Sequence, residues 1–194
     1  MTRALRADAA RNRSLLLAAA AAEFASRGVD ASVADIARRA GVGKGTVFRH
    51  FPTKDDLLAA VVLDRVDSLA VLALDLHVAS DAGAALFEFL TAAADKQQQL
   101  DFSFLRDAGE INDRLASARE RLFAAIIALV ERAQAAGAIR RDISGMDVIL
   151  LMCAPAHVVS FVPDAPPELW RRYLGLIFDG LRPEGAHPLG PAGV

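Results

Sequence analysis

The chain has 194 residues, of which 54% are hydrophobic and 24% are charged. This length allows one domain of ordinary size or a small domain joined to a larger one, and this composition excludes disorder over most of the chain. The single cysteine excludes an intrachain disulfide and agrees with a reducing compartment, so we expect a cytoplasmic protein.

Charge is distributed unevenly along the sequence. Residues 1–54 contain ten Lys or Arg against four Asp or Glu, a balance of +6, whereas the remaining residues contain twelve against twenty, a balance of −8. A basic amino-terminal module on an acidic body is typical of a nucleic-acid-binding protein with a second function. Chance clustering of surface charge is the alternative.

Two apolar runs could suggest a targeting or membrane segment. In the first, Leu16, Ala20 and Phe24 recur every fourth residue, which indicates the stripe of an amphipathic helix rather than a signal peptide. The second, residues 148–162, is too short to span a bilayer. We therefore expect no membrane association.

Helix boundary signals recur along the chain, and no segment has a convincing strand pattern. Serine or threonine followed three residues later by aspartate predicts a helix start, and glycine after an apolar stripe predicts a helix end. The capping pairs are Ser32 with Asp35, Thr53 with Asp56 and Ser144 with Asp147, and the terminating glycines are Gly28, Gly41 and Gly137. The predicted helices cover roughly residues 9–27, 32–40, 44–50, 54–78, 80–99, 102–108, 113–136, 144–161 and 166–181.

These elements predict an all-α protein, and alanine, the best helix former, is very abundant. We expect a helix-turn-helix domain at residues 9–53, a larger helical body at 54–182 and a fraying tail at 183–194. Pro155 should kink the helix that contains it, and Pro166 and Pro167 suit the first turn of the last helix.

The stretch GVGKGTVFRHF, residues 41–51, has the composition of a phosphate-binding loop. A nucleotide-binding P-loop requires glycine where Arg38 stands and serine or threonine where Gly45 stands, and a dinucleotide fingerprint requires glycine at Thr46. Both alternatives also need a preceding strand, and a capped helix precedes this stretch instead. The phosphate that remains is that of a nucleic-acid backbone.

The same stretch fits the turn of a helix-turn-helix unit. Gly41 supplies the left-handed backbone of a short interhelical turn, and Ala37 is small enough for two helices to approach closely. Val47 and Phe51 face inward, so that the amino end of the second helix is free to enter a major groove.

The stretch closely resembles the DNA-binding domain of the TetR family of transcriptional regulators. The resemblance rests on Phe24, on Gly28 and on SVADIARRAGVGKGTVFRHFPTKDDLLAAV from Ser32 to Val61. The remaining sequence is similar to the family only in its all-helical architecture and its length. The resemblance implies a homodimeric repressor that binds a palindromic double-stranded DNA operator and that a small-molecule effector releases.

The resemblance also assigns DNA contacts residue by residue. Ser32 would bind phosphate, the start of the second helix would face base edges, and His50 and Lys54 would hold phosphates. Phe48 stands where the family often has a tyrosine, so a contact with sugar or with a thymine methyl must replace the hydroxyl. The full set of expected DNA-binding residues is Ser32, Val33, Gly43, Lys44, Gly45, Thr46, Phe48, Arg49, His50 and Lys54.

The body offers apolar walls and scattered polar groups for a ligand pocket. Our candidates are His77, Phe87, Leu90, Gln98, Phe102, Phe104, Arg106, Glu110 and Phe123, although each apolar one also suits an ordinary core. The last two predicted helices are apolar on too many sides for a monomer surface, which predicts a dimer interface. Its candidates are Met146, Ile149, Leu150, Cys153, His157, Phe161, Tyr173 and Ile177.

Neither a metal site nor a cofactor site is expected. His77, Cys153 and His157 do not form a pair at ligand spacing on one helix turn, and no nucleophile or paired-carboxylate motif indicates an enzyme. A DNA-binding transcriptional regulator is therefore our main interpretation. An activator, or a ligand-binding protein whose basic module binds DNA weakly, is the alternative.

Overall fold

The computed structural model of the chain describes residues 3–98, 113–184 and 186–190, and it describes side chains from residue 11 onward. Within these ranges the regular elements are all helical, which confirms the all-α prediction. The helices are α1 (Arg3–Arg27), a 3₁₀ turn (Gly28–Asp30), α2 (Val33–Arg39), α3 (Lys44–His50), α4 (Lys54–Leu76), α5 (Ala82–Gln98), α6 (Asp113–Ala135), α7 (Gly145–Leu151), α8 (Ala154–Val159) and α9 (Leu169–Gly180).

The chain divides into two compact units. The first contains α1, α2, α3 and α4 as far as Arg65, and the second contains the rest of α4, most of α5 and α6, and everything that follows. The described part of the chain contains no helix that is both long enough and apolar enough to cross a membrane.

The first unit packs three short elements and the start of α4 around a small core. Phe24, Ile36, Val47 and Leu57 come from α1, α2, α3 and α4 respectively, and each is at most 1% exposed. Phe24 and Leu57 thus share a core with α2 and α3, which are too short to be stable on their own. The stability of α3 therefore depends on its neighbours.

Capping pairs begin the helices where the sequence predicts them. The Ser32 hydroxyl accepts the N–H of Asp35, and Thr53 exchanges hydrogen bonds with Asp56 in the same way. At α7, Ser144 and Asp147 form a complete capping box, and this lowers the pKa of Asp147 because its carboxylate accepts the Ser144 backbone N–H and hydroxyl.

The second unit has a larger core that α5, α6 and α9 supply. Leu86 and Phe89 of α5, Ile126 of α6, and Trp170 and Leu174 of α9 are all at most 2% exposed. A glutamine closes the turn after α6: the Gln134 amide donates to the carbonyls of Arg140 and Ile143 at 3.0 Å and 2.9 Å.

Pro155 lies where the apolar segment divides into two helices, whereas the sequence predicted one kinked helix. The apolar segment 144–161 forms two helices, α7 and α8, because Pro155 lies at the first turn of α8, where its missing N–H has no cost. Pro166 and Pro167 do not form the first turn of the last helix. They precede α9, which starts at Leu169.

Part of the tail that the structure describes contacts the Arg140 side chain. The Arg140 guanidinium donates to the His187 carbonyl at 2.5 Å and to both carboxylate oxygens of Asp142 at 2.6 Å and 2.7 Å. Side-chain hydrogen bonds from Arg140 lower the pKa of Asp142 to about 2, and a backbone hydrogen bond from Leu189 contributes. The last residues before 190 are thus fastened to a bidentate ion pair.

Candidate nucleic-acid interface

A tight glycine turn connects α2 to α3. Gly41 has φ +69°, and its N–H donates to the Arg38 carbonyl at 3.1 Å while Val42 donates to Ala37 at 3.0 Å. These two bonds form a Schellman motif, which satisfies the last carbonyls of α2 and needs a left-handed residue at its centre. The turn sets the direction in which α3 leaves α2.

One face of α3 is buried and the opposite face is exposed. Val47 is 1% exposed and Phe51 is 4% exposed, and the Arg13 guanidinium of α1 lies 5.2 Å from the centre of the Phe51 ring. The exposed face carries Lys44, Gly45, Phe48 and Arg49, and Thr46 and His50 flank it with partial exposure. We call this exposed face of α3, formed by Lys44, Gly45, Phe48 and Arg49, the reading face, and it is open to a partner.

Two glycines lie at the start of α3, Gly43 at the N-cap, where glycine is a favoured residue, and Gly45 inside the helix. Gly43 and Gly45 lack a positive φ, and a Cβ atom added to either would meet no other described atom within 4 Å. Glycine inside a helix is destabilising relative to alanine by roughly 0.5–1 kcal/mol. The space beside Gly45 is open, so an external surface can approach the helix backbone there.

The cations of the first unit fall into two groups. Arg39 donates to Glu23 at 2.9 Å, Arg27 donates to Asp35 at 2.8 Å, and Arg38 also pairs with Asp35. By contrast, Lys44 and Arg49 on α3 have no carboxylate partner among the described side chains, and α3 has no acidic residue in its first turn. Lys44 and Arg49 thus place unneutralised positive charge on the exposed face of α3, and Arg11 and Arg13 on α1 also have no carboxylate partner among the described side chains.

Ser32 has an internal role that bears on its expected phosphate contact. Its hydroxyl donates to the Asp35 carboxylate at 2.8 Å, and this bond, followed by Arg38 and Arg27, lowers the pKa of Asp35 despite an opposing desolvation effect. The hydroxyl hydrogen is thus engaged within the capping pair. The first N–H groups of α2, including that of Val33, have no acceptor within the helix and are oriented for an anion.

Lys54 and His50 lie at the carboxyl end of α3 and the start of α4. The Lys54 ammonium donates to the Val29 carbonyl and ties α4 to the loop after α1. An ammonium has three donors, so this bond leaves donors for a phosphate. The His50 ring is half-buried beside Phe51, with 6.3 Å between ring centres.

Sequence comparisons agree with this geometry on both units. The profile of bacterial regulatory proteins of the tetR family matches residues 16–61, and that of the SbtR-like transcriptional regulator C-terminal domain matches residues 81–183. The chain belongs to the TetR family of transcriptional regulators. This confirms the resemblance drawn from the sequence, and because the family consists of DNA-binding regulators, it also confirms that the protein is not an enzyme.

This TetR-family chain aligns with most of the length of several relatives. The uncharacterized regulator TtgW of Pseudomonas putida is 32% identical over 128 residues, which are 62% of this chain and 96% of TtgW. A TetR regulator from Mycobacterium vanbaalenii is 35% identical in its crystal structure, with TM-score 0.69, covering 92% of this chain and 99% of that one. A TetR regulator from Streptomyces coelicolor is 32% identical, with TM-score 0.70, covering 88% and 98%.

Among the pocket candidates of this TetR-family body, the structure describes the side chains of four, and these four have different surroundings. Phe87 lines a surface cleft, Leu90 is 2% exposed in the core, and Phe123 is half-buried with the Arg119 guanidinium 5.7 Å from its ring centre. His77 is exposed just beyond the end of α4. The side chain of Gln98 and residues Phe102, Phe104, Arg106 and Glu110 lie outside the described part of the chain.

The candidates for the dimer interface lie on α7, α8, α9 and their flanks, and many are uncovered. Met146, Leu150 and Phe161 are 37%, 56% and 74% exposed. Cys153 and His157 are exposed, and the His157 ring meets the Phe161 ring edge-on with 5.1 Å between centres. The remaining candidates, Ile149, Tyr173 and Ile177, are half-buried.

Ion pairs join α1 to α2, and the sequence pattern did not predict them. Glu23 is 7% exposed, and its carboxylate lies 2.9 Å from Arg39 and 3.7 Å from Arg27. The signal was present as an acidic residue inside the apolar stripe of α1. Arg39 with Glu23 and Arg27 with Asp35 link α1 to α2, and Arg38 pairs with Asp35 within α2, so these three arginines already have carboxylate partners.

Proposed function

We propose that this TetR-family regulator is a homodimeric repressor that binds a palindromic DNA operator through α3 and leaves it when a small molecule binds the body. The supporting observation is the exposed face of α3, where Lys44 and Arg49 have no carboxylate partner among the described residues. In the same unit, Arg27, Arg38 and Arg39 pair with carboxylates and Lys54 donates to a carbonyl, whereas Arg11 and Arg13 on α1 have no carboxylate partner among the described residues.

The roles on DNA follow from side-chain chemistry. Lysine and arginine side chains on a recognition helix bind the acceptor edge of guanine in the major groove, and the candidates for this role are Lys44 in the first turn of α3 and Arg49 in its last turn. The open space at Gly45 permits the helix backbone itself to approach the bases. His50, the spare donors of Lys54 and the first N–H groups of α2 surround the reading face with phosphate-binding groups.

Phe48 supplies an apolar contact to the same surface. Its side chain is 46% exposed on a face that is otherwise basic. Helical side chains lean toward the amino end of their helix, so the ring tends over the turn that contains Gly45. A phenyl ring near the groove-facing end favours contact with a thymine methyl group over a sugar at the helix flank.

Dimerisation follows from the apolar surface of the second unit. Leu150, Phe161 and Leu176 are each more than half exposed, on α7, after α8 and on α9. Exposed apolar side chains such as these favour association, and two-fold symmetry would let one copy cover the same residues of another. Two identical reading helices then match a palindromic site with half-sites about 34–36 Å apart.

Release by an effector is a shift between two populations. A ligand that binds one arrangement of the dimer more tightly draws the protein toward that arrangement. To change occupancy from nearly full to nearly empty, the ligand must favour the released state by about 5 kcal/mol. The chemical class of that ligand depends on the side chains that line its site in the body.

Selection from a random duplex DNA library, followed by footprinting on the selected duplex, tests the proposal. We expect an inverted repeat that is protected on both halves, with two protomers per duplex by light scattering. No enrichment, or binding by one protomer to one half-site, would reject the homodimeric reader. A reporter downstream of the selected site in a strain lacking the gene then separates a repressor from an activator.

A further inference from the structure

The second unit contains an open cleft of about 480 Å³ that is not part of the reading face. It lies where the first turns of α5 meet α9 and the turn after α6, and small residues such as Ala84, Gly137 and Ala138 line it. Its volume is within the range of roughly 300–1,000 Å³ that small-molecule sites occupy.

Gly175 keeps this cleft open without any internal need for glycine. It lies in the middle of α9 without a positive φ, and a Cβ atom there would meet no other described atom within 4 Å. Gly83, on another wall, differs, because its Cβ would lie 3.0 Å from the Cβ of Ala138. Glycine weakens a helix interior, and the open space beside Gly175 leaves room for a group from outside the chain. The same relation holds at Gly45 on the reading helix.

The cleft has an aromatic wall. Phe87 is 37% exposed, and its ring centre lies 4.8 Å from that of Phe178, which is nearly buried. An exposed phenyl ring that packs on a second ring offers a fixed π-face to a ligand. Such faces attract cations and flat apolar groups.

Three carboxylates and one guanidinium line the same cleft. The carboxylates belong to Asp81, Asp179 and Glu184, and the guanidinium belongs to Arg182. Arg182 lies 3.5 Å from the Asp179 carboxylate, and its guanidinium carbon lies 5.8 Å from the centre of the Phe178 ring. The chain's own cation therefore already occupies a position between a carboxylate and an aromatic ring.

We propose that this cleft binds a small organic cation that carries a flat apolar group. The cation would lie near Glu184 and Asp81, and its apolar part would lie between Phe87 and the open face of Gly175. The lining has a net negative charge, which favours a cation over an anion. Arg182 already contacts both a carboxylate and an aromatic ring, and the ligand cation would make contacts of the same kind. The proposal gives the effector of the proposed repressor a chemical class, and it rests on that function only for its biological meaning.

The wall that carries Arg182 and Glu184 is anchored on both sides. The Arg140 N–H donates to the Leu181 carbonyl at 2.8 Å, and the Arg140 guanidinium holds His187. A wall fixed in this way does not have to be ordered when the ligand binds, which lowers the entropic cost of binding.

Ligand-observed NMR and calorimetry on the full chain without DNA test the proposal with three probes of matched size. The probes are benzylammonium, benzyl alcohol and benzoate. We expect benzylammonium to bind about two- to fivefold more tightly than benzyl alcohol, since exposed charge pairs contribute an effect of that size, and benzoate to bind most weakly. Absence of benzylammonium binding, or equal affinity for all three probes, overturns the proposal.

Four variants, with a fifth as a substitute for one of them, locate the binding within the cleft. Glu184→Gln and Asp81→Asn should each weaken benzylammonium binding about two- to fivefold and leave benzyl alcohol unchanged, and asparagine preserves the helix cap that Asp81 provides to the Ala84 N–H. Arg182→Gln should strengthen benzylammonium binding because it frees Asp179 and the ring. Gly175→Leu should abolish it, and Ala84→Leu serves the same purpose if Gly175→Leu does not fold.

Two further outcomes distinguish a ligand site from a dimer contact, and ligand binding from effector function. If Gly175→Leu converts a dimer to a monomer in light scattering, a second copy covers the cleft and the ligand proposal is overturned. If benzylammonium binds but does not change the affinity for a selected operator, the cation site stands and its role as the effector site is rejected. Because the binding measurements use no DNA, a failure of DNA recognition does not affect them.

Discussion

The Arg39 guanidinium on α2 donates to the buried carboxylate of Glu23 on α1 at 2.9 Å. One Glu23 oxygen is buried without a hydrogen-bond partner, with Arg27 3.7 Å away. This pair joins the first helix to the helix that supports the reading helix. Its energetic contribution depends on the burial of Glu23, since the Arg39 side chain is 53% exposed.

Replacing Glu23 with glutamine should lower the free energy of unfolding of the first unit by about 1–2 kcal/mol, because it leaves Arg39 without its charge partner and a polar group in a nearly buried position. Urea denaturation followed by far-UV circular dichroism measures this. Arg38→Ala is the matched control, with an expected change below about 0.5 kcal/mol, since Arg38 is 74% exposed. Equal effects of the two substitutions would contradict the prediction.

Alanine at two nearby glycines should have opposite effects on stability. Gly45→Ala should stabilise the chain by about 0.5–1 kcal/mol, whereas Gly41→Ala should destabilise it by about 1–2 kcal/mol because its φ is +69°. Gly45→Ala should nevertheless weaken binding to a selected operator, because the added methyl fills the space that DNA approaches. Thermal denaturation and fluorescence anisotropy measure the two properties. Unchanged DNA affinity would remove Gly45 from the interface.

The unpaired cations of α3 should dominate the salt dependence of DNA binding. For each phosphate that a variant no longer neutralises, the slope of log K against log salt should fall in magnitude by about 0.9. Lys44→Ala and Arg49→Ala should each reduce the slope if they touch phosphate, or should relax the preference for one base pair at nearly constant slope if they read guanine. Arg38→Ala, which removes a paired cation, should change neither. A titration at several salt concentrations with substituted duplexes distinguishes these results.

Phe48 should make the operator sensitive to a thymine methyl group. Replacing single thymines in the selected duplex with uracil removes the methyl and leaves base pairing intact, and one such position per half-site should weaken binding about two- to fivefold, the effect of removing one buried methyl group. Phe48→Ala should abolish this sensitivity. If no uracil substitution matters to the wild-type protein, Phe48 contacts the sugar–phosphate backbone instead.

The lowered pKa of Asp142 should make the stability of the fold depend on pH. Its pKa is about 2 in the folded chain and 3.8 without its partners, so its contribution is complete above about pH 4 and is lost as the pH falls from there toward 2. Asp142→Asn should therefore lower the melting temperature at neutral pH, and the difference from wild type should shrink as the pH falls through this window. A difference that does not depend on pH would mean that the shape of the side chain matters more than its charge.

The helix-turn-helix was predictable from sequence because its determinants are local. Gly41 ends α2, and Ser32 caps it within three residues, so both signals lie within one turn of the boundary that they set. Pro155 was located correctly but its effect was underestimated, because whether a proline kinks or divides a helix depends on the packing on either side.

The partners of charged residues could not be read from the sequence. Glu23 and Arg39 are sixteen positions apart and meet only because the turn around Gly28 brings α2 back to α1. The cleft beside Gly175 joins three distant segments for the same reason. Composition identified the charges, but their assignment to structure or to recognition required the contacts between helices.

The position of Trp170 has a practical consequence for spectroscopy. Trp170 is the chain's one tryptophan, Tyr173 is its one tyrosine, and both lie on α9 in the second unit, where the indole is 2% exposed beneath the guanidinium of Arg171. Intrinsic fluorescence therefore reports on the body alone, whereas circular dichroism reports on the helices of both units. Unfolding curves from the two signals will coincide only if the first and the second unit lose their structure together.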